Sequence, residues 1–407
     1  MIIRARQVVT MDGPPVENGA VAVEGNQIVA VGTVPDLQWV SPGPVVDLGE
    51  CVLLPGLINA HCHLDYTMMR GAIAAPKQFT AWVQRINALK RSLDSSDYLQ
   101  AIQRGFAELK KWGTTSVCNI EAFPELMVDL GPSPVRTWWF YEMIDIRHRI
   151  TTEDVVAGAL GFFQHRANKL DSFGLSPHAP YTASLDLYQL ANACATSFTM
   201  PLTTHLAESA DEFEMFHQAA GPLYEFMAAL QRPMNDCGRG TPFGNLWRSG
   251  AVGPRWLLVH MNTLIEDDFQ LLSELPRGSG PHVVHCPGSH RYFSHPPFPG
   301  KRLRELGVNL CLGTDSLAST ESLSLFDEMR TCWREEPGLR PEEILRMVTV
   351  NPARALRRRG QLGKIVPGAL ADLIAVPAPA SVGGVYEDIV KYDKPVPWMM
   401  IDGQIPA

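Results

Sequence analysis

LPGLINAHCHLD, residues 54–65, is the stretch whose reading decides the fold. A short apolar run, Leu57 to Ala60, ends in His61-Cys62-His63. On an extended chain, residues i and i+2 project to the same side. His61 and His63 therefore point together and can reach one ion at about 2.0–2.1 Å, the usual nitrogen–zinc distance. Cys62 then faces the other way, where a packing role is expected. A bare HxH pair is weakly informative, but one placed directly after LPGLINA and before LDYT is far more so.

Working outward, seven further apolar runs follow: TTSVCNI, RTWWFYEMI, SFGLSPH, MPLTTHLAE, RWLLVHMN, HVVHCP and NLCLGTDS. Amphipathic patterns separate them. In AIQRGFAELKKWG, Ile102, Phe106 and Leu109 share a face and Gly113 supplies the stop. In NPARALRRR, Asn351 reads as an N-cap with Pro352 at the first helical position. Eight β-runs interleaved with helices predict an α/β protein with a (β/α)8 TIM barrel over residues 56–362. A doubly wound open sheet also alternates strands and helices, so the count alone leaves that alternative standing. Both ends of the chain read differently. VAV at 21–23 and IVAV at 28–31 flank a Gly25-Asn26 turn, and LADLIAV and the Asp402-Gly403 turn lie near the C-terminus. Residues 1–55 and 363–407 are accordingly expected to form one small, discontinuous β-sandwich domain.

Polar residues gather where the apolar runs end. His61 and His63 end the first, His178 the fourth, and His205, followed by Glu208, the fifth. His260 ends the sixth, His285 the seventh and Asp315 the eighth. In a barrel these ends surround one mouth, where catalytic residues of that fold sit. His148, His165, His217, His282 and His295 lack this register and read as surface or packing residues. Asp315 also stands where it can cap a helix starting at SLAS.

Composition narrows the classes. Hydrophobic residues are 45% and charged residues 19%, which excludes a disordered chain. The formal charge of -8 argues against broad affinity for nucleic-acid phosphates. No apolar run reaches the roughly eighteen residues of a membrane helix, and MIIRARQVVTMDG lacks a signal-peptide core. None of the 8 cysteines forms a CxxC pair. No membrane partner and a cytoplasmic, reducing location are expected.

PGLINAHCHLD, SPHAPYT, TTHLAES, LLVHMN, VVHCPGSH and LGTDSLAS occur in this order at strand spacing. As a set they resemble the amidohydrolase superfamily, in particular its mononuclear branch of purine and triazine aminohydrolases. GKIVPGALADLIAV resembles that family's terminal β-domain. The resemblance implies metal ligands at His61, His63, His205 and Asp315, with His260 orienting the water. It implies that Glu208, the HxxE glutamate, takes a proton from that water and passes it to a substrate ring nitrogen. The physical need agrees: hydrolysis at neutral pH requires a metal to lower the pKa of water from about 15.7 towards about 7, and a base beside it. Asp315 can carry the proton that the leaving amine requires. The fourth run holds no lysine of the kind that bridges two ions in binuclear relatives, so one divalent ion is expected. Zinc is the first choice, with Fe(II) or Mn also compatible with three histidines and an aspartate.

The resemblance further implies substrate contacts at His178, His285 and His290. The loop 65–91 carries Phe79, Trp82, Val83 and Ile86 at helical spacing and is expected to cap the mouth over a flat heteroaromatic ring. Trp82 and Ile86 can equally pack on the barrel alone, and Arg70 can meet a substrate carboxylate or be solvated. The implied reaction is hydrolytic deamination of an amino-substituted purine-type base or nucleoside. FxxW together with HCPxSHxYF is most similar to aminofutalosine deaminases. S-adenosylhomocysteine/methylthioadenosine deaminase, guanine deaminase and s-triazine chlorohydrolase activities are the alternatives. A binding protein without activity would be favoured by a missing ligand or a missing Glu208, and none is missing. Relatives suggest a homodimer or homotetramer.

Overall fold

The computed structural model describes residues 1–146, 150–164, 168–378 and 384–406. His148 and His165 lie outside the described residues, as do 379–383 and 407 of the terminal segment. Two compact units emerge. One comprises Met1–Ala60, Ala107–Val117 and Ser324–Ala407, the other His61–Phe106 and Cys118–Leu323.

Nine strands form a parallel sheet: β1 (Leu57–His63), β2 (Thr114–Glu121), β3 (Arg136–Met143), β4 (Asp171–Pro177), β5 (Leu202–Leu206), β6 (Trp256–His260), β7 (His282–His285), β8 (Asn309–Leu312) and β9 (Asp315–Ser316). Their order is β8-β7-β6-β5-β4-β3-β2-β1-β9. Every expected apolar run is therefore a strand. The runs are continuous rather than alternating because residues of β1, β2, β5 and β6 are all buried, as parallel strands covered on both faces must be. β8 pairs with β7, while β9, beginning three residues later, pairs with β1. Gly313 N–H donates to the His285 carbonyl at 2.9 Å and Thr314 N–H to the His61 carbonyl at 3.0 Å. The last strand thus touches both neighbours, and the curled sheet is consistent with a TIM-like barrel. A Cβ on Gly313 would stand 2.8 Å from His61 Cβ and carbonyl oxygen, so only glycine fits this crossing.

The helix Ser95–Lys111 buries Ile102, Phe106 and Leu109, and Gly113 beyond it is left-handed at φ 75, as the stop signal implies. The capping expectation at Asn351 does not hold. The helix runs Val350–Ala355 with Thr349 at its N-cap and Pro352 third in its first turn. The Thr349 hydroxyl is occupied by the Leu345 carbonyl at 2.6 Å, and proline is tolerated there because first-turn N–H groups have no helical partner anyway.

In the first unit a four-stranded sheet orders Gln27–Thr33, Gly19–Glu24, Ile2–Arg4 and Val45–Asp47. A five-stranded sheet orders Trp398–Met400, Leu373–Pro377, Cys51–Pro55, Gln7–Val8 and Val16–Glu17. Ile3, Val21 and Ile28 of the first sheet and Val8, Leu53, Leu373 and Met400 of the second share one apolar cluster. No helix among the described residues is long and apolar enough to cross a membrane.

Candidate metal centre and active site

The strand ends bring the expected residues together. His61 and His63 leave β1 on one side, with ring centroids 4.9 Å apart, while Cys62 between them is fully buried. His205, near the end of β5, has its ring 4.9 Å from that of His61. His260 at the end of β6 lies 6.0 Å from His61, ring to ring. Asp315 Oδ1 stands 3.6 Å from His61 Nε2 and 3.8 Å from His63 Nε2. Two sets of three, His61/His63/Asp315 and His61/His205/His260, each place their donor atoms within 4.8 Å of one another.

These groups fit a divalent cation. His205 Nδ1 lies 2.8 Å from the His178 carbonyl and donates its hydrogen there, which leaves Nε2 with a lone pair. That Nε2 is 3.2 Å from His63 Nε2. Two nitrogens bound tetrahedrally to one ion at the zinc distance stand about 3.3 Å apart. Among the described residues the buried His260 Nε2 has no hydrogen-bond partner. Burial pushes the imidazoles of His63 and His205 well below their ordinary value, and neighbouring histidines add to the shift. Burial likewise takes His260 down to about 3, against the pull of Asp315. A shift in this direction favours the neutral form of His63, His205 and His260, the form in which an imidazole can bind a metal. Burial would raise Asp315, but the imidazoles of His61, His260 and His63 around it hold it well below the usual carboxylate range. Its Oδ2 accepts from the Ser289 hydroxyl at 2.6 Å and the Ser319 hydroxyl at 3.0 Å. Asp315 does not cap a helix: it lies in β9, left-handed at φ 58, and the next helix starts at Leu325. Its oxygen is turned to the histidines instead.

Glu208 Oε1 lies 3.6 Å from His260 Nε2. Burial, with the negative charges of Asp315 and Glu212, pushes the Glu208 carboxyl well above its ordinary value. A carboxyl whose hold on a proton is strengthened in this way suits acid–base work.

Around this centre, His178 Nδ1 meets the Thr182 hydroxyl at 2.6 Å and its ring is 4.9 Å from that of His205. His285 is buried and stacks on Phe298, centroids 3.9 Å apart. His290 is buried with Nε2 donating to the Pro296 carbonyl at 2.9 Å. The 65–91 segment contains the helix Phe79–Lys90. Phe79 is buried and packs near Tyr181, Met215 and Phe216; Trp82 is half-buried and donates to the Ala318 carbonyl at 3.3 Å. Ile86 is buried with Tyr66, Met69 and Tyr98. Arg70 is exposed. Of the remaining histidines, His217 is exposed, and His282 and His295 are half-buried.

Sequence reasoning missed four charged residues beside these. Asp65 is 1% exposed, and among the described residues neither carboxylate oxygen has a hydrogen-bond partner in another residue. Glu121 ends β2, and Glu142 near the end of β3 holds Oε1 3.8 Å from His178 Nε2. Lys90 donates to the Tyr66 hydroxyl at 2.6 Å, and the Tyr66 ring stacks on His63 at 5.5 Å. The signal for two of them was present: applying the strand-end rule to the second and third runs would have picked out Glu121 and Glu142.

Comparison with known proteins is consistent across the chain. Residues 52–405 match the amidohydrolase family. A 5-methylthioadenosine/S-adenosylhomocysteine deaminase of Syntrophobacter fumaroxidans is 32% identical over 390 residues, covering 90% of this chain and 81% of that protein. A zinc-bound adenosine deaminase from Xanthomonas campestris superposes with TM-score 0.84 at 27% identity, covering 99% of this chain and 92% of the other. Helicobacter pylori aminofutalosine deaminase, in complex with methylthio-coformycin, superposes with TM-score 0.87 at 23% identity over 100% of both chains, a likeness of fold.

Proposed function

The chain belongs to the amidohydrolase family, and from that premise we propose that it is a metal-dependent hydrolytic deaminase of an adenosine-type nucleoside. The observation that carries this is a buried Glu208 whose Oε1 stands 3.6 Å from His260 Nε2, beside the clustered side chains of His61, His63, His205 and Asp315.

His61, His63, His205 and Asp315 would hold one divalent ion, zinc first, with Fe(II) or Mn as alternatives. When bound, such an ion supplies Lewis acidity that makes water nucleophilic at neutral pH. His260, neutral and buried, orients that water. Glu208 accepts a proton from the water as oxygen attacks the carbon bearing the exocyclic amine, and delivers it to the adjacent ring nitrogen. Asp315 passes the second proton to the departing amine. Water and the amine are consumed, and ammonia and the ring carbonyl form. His178, His285 and His290 contact the substrate, Phe79 and Trp82 cover the ring, and Arg70 meets a carboxylate of the substrate.

For the substrate, the relative at 32% identity supports a 5-methylthioadenosine or S-adenosylhomocysteine type. The Phe79/Trp82 pair with HCPGSHRYF supports an aminofutalosine-type nucleoside. We also read 56–362 as a (β/α)8 barrel, residues 1–55 with 363–407 as a small β-sandwich domain, and the protein as a cytoplasmic homo-oligomer. The test is ammonia release by zinc-loaded protein from 5′-substituted adenosines, adenosine and guanine. Release from a 5′-substituted adenosine is expected; release from none of the panel defeats the proposal.

A further inference from the structure

Glu208 is only as well aimed as the peptide that carries it. Ala207, just before it, is left-handed at φ 51, a region that alanine enters at a steric cost and keeps only when its surroundings demand it. The demand is visible on both faces. On one, the Glu212 carboxylate spans two peptide groups: Oε1 accepts the Ala207 N–H at 3.1 Å and Oε2 the Glu208 N–H at 2.7 Å. On the other, Asn262 Nδ2 donates to the Glu208 carbonyl at 3.0 Å. The Ala207 carbonyl accepts the N–H groups of Asn262 at 2.8 Å and Thr263 at 2.9 Å, and the Thr263 hydroxyl at 3.0 Å.

Glu212 is 1% exposed and sits in the first turn of the helix Ala210–Gln218. The Ser209 hydroxyl already caps that helix by accepting the Glu212 N–H at 3.2 Å. A glutamate at this position of a capping box would return to the N-cap N–H. Here the carboxylate also feels the Ser209 N–H but makes its close hydrogen bonds further back, to the two residues before the cap. The helix start alone does not need that reach; the orientation of Glu208 does.

We propose that Glu212, with Asn262 opposite, is a positioning residue that clamps the Ala207–Glu208 peptide and so sets where the Glu208 carboxylate meets the reacting atoms. The inference rests on the reading of Glu208 as the proton carrier. Both Glu212 carboxylate oxygens are engaged by backbone N–H groups, so it acts through Glu208. In sequence the arrangement is H-x-x-E-S-x-x-E, from His205 to Glu212.

The test is Glu212→Gln on the zinc-loaded enzyme, measured well below its melting temperature. Glutamine keeps the shape and one acceptor oxygen but turns an NH2 group towards the other peptide N–H. A fall of about 10–100-fold in kcat is expected, as for other residues that orient a reacting group, with KM within about twofold and zinc content unchanged. Glu208→Gln is measured beside it, and in the double variant Glu212→Gln should cause no further fall, since a clamp without its carboxylate has nothing to aim. If Glu208→Gln keeps full turnover, the reading of Glu208 fails whatever Glu212→Gln does. If Glu208→Gln is inactive while Glu212→Gln has the parent kcat, or loses activity only in step with zinc, the clamp is overturned and Glu208 stands. Should Glu212→Gln not fold, Asn262→Ala reads the same peptide from its other face: a kcat loss at constant KM and zinc supports the clamp, and the parent kcat overturns it.

Discussion

Gly313→Ala places one methyl group where β8 passes to β9 against His61. The new carbon would lie 2.8 Å from the His61 Cβ and carbonyl oxygen and 2.9 Å from its nitrogen. Carbon contacts prefer about 3.5–4.0 Å, so the two segments must part by roughly 0.7–1 Å. Neither is free to move: Gly313 N–H is bonded to the His285 carbonyl and Thr314 N–H to the His61 carbonyl. The contact atoms are backbone and Cβ, not the end of a flexible side chain. Overpacking of this kind costs about 1–3 kcal/mol, and a ~1 Å displacement of a positioned group costs about 100-fold in rate. Gly253→Ala is the control, because nothing lies within 4 Å of its added carbon. The assay is a thermal melt, zinc content by elemental analysis and kcat for ammonia release. Gly313→Ala should melt lower, hold less zinc and turn over at about 1% of the parent, while Gly253→Ala should change none of these. A Gly313→Ala protein with the parent melting temperature, full zinc and full kcat would refute the geometry of this crossing.

Other consequences can be checked separately. Burial, opposed by the Phe123 N–H hydrogen bond and helped by Glu142, lifts Glu121 to about 8. Its unfolded value lies near 4.5, so the folded state binds the extra proton between these limits. The stability from that proton is fully present below about pH 4.5 and is lost as pH rises through about 8. Melting temperature measured from pH 5 to 9 should therefore fall more steeply for the parent than for Glu121→Gln; parallel slopes would exclude Glu121 as the source. Trp82→Ala, which removes half of the aromatic cover, should raise KM about tenfold with kcat little changed; an unchanged KM would leave Trp82 as packing only.

The candidate site was legible because its polar residues are written at fixed register. His61, His178, His205, His260, His285 and Asp315 each stand at or beside the end of an apolar run, and parallel strands carry such ends to one side. Positions set by tertiary contact were not legible. Nothing local marks Glu212, which reads as an ordinary first-turn acid until the backbone turns left-handed at Ala207. Asp65 looks like a solvated charge until packing buries it. The helix start at Val350 was misplaced because Asn351-Pro352 is a strong local cap signal, and the preceding helix, Pro341–Met347, overrides it. Gly313 reads as a loop glycine, and its need is visible only once the last strand meets the first.

Zinc X-ray absorption or anomalous diffraction on the loaded protein addresses the metal centre directly. One ion per chain is expected, with ring nitrogens of His61, His63 and His205 at about 2.0–2.1 Å and an Asp315 oxygen at about 2.0–2.2 Å. An ion held elsewhere, or a first shell lacking His205 or Asp315, would contradict the account.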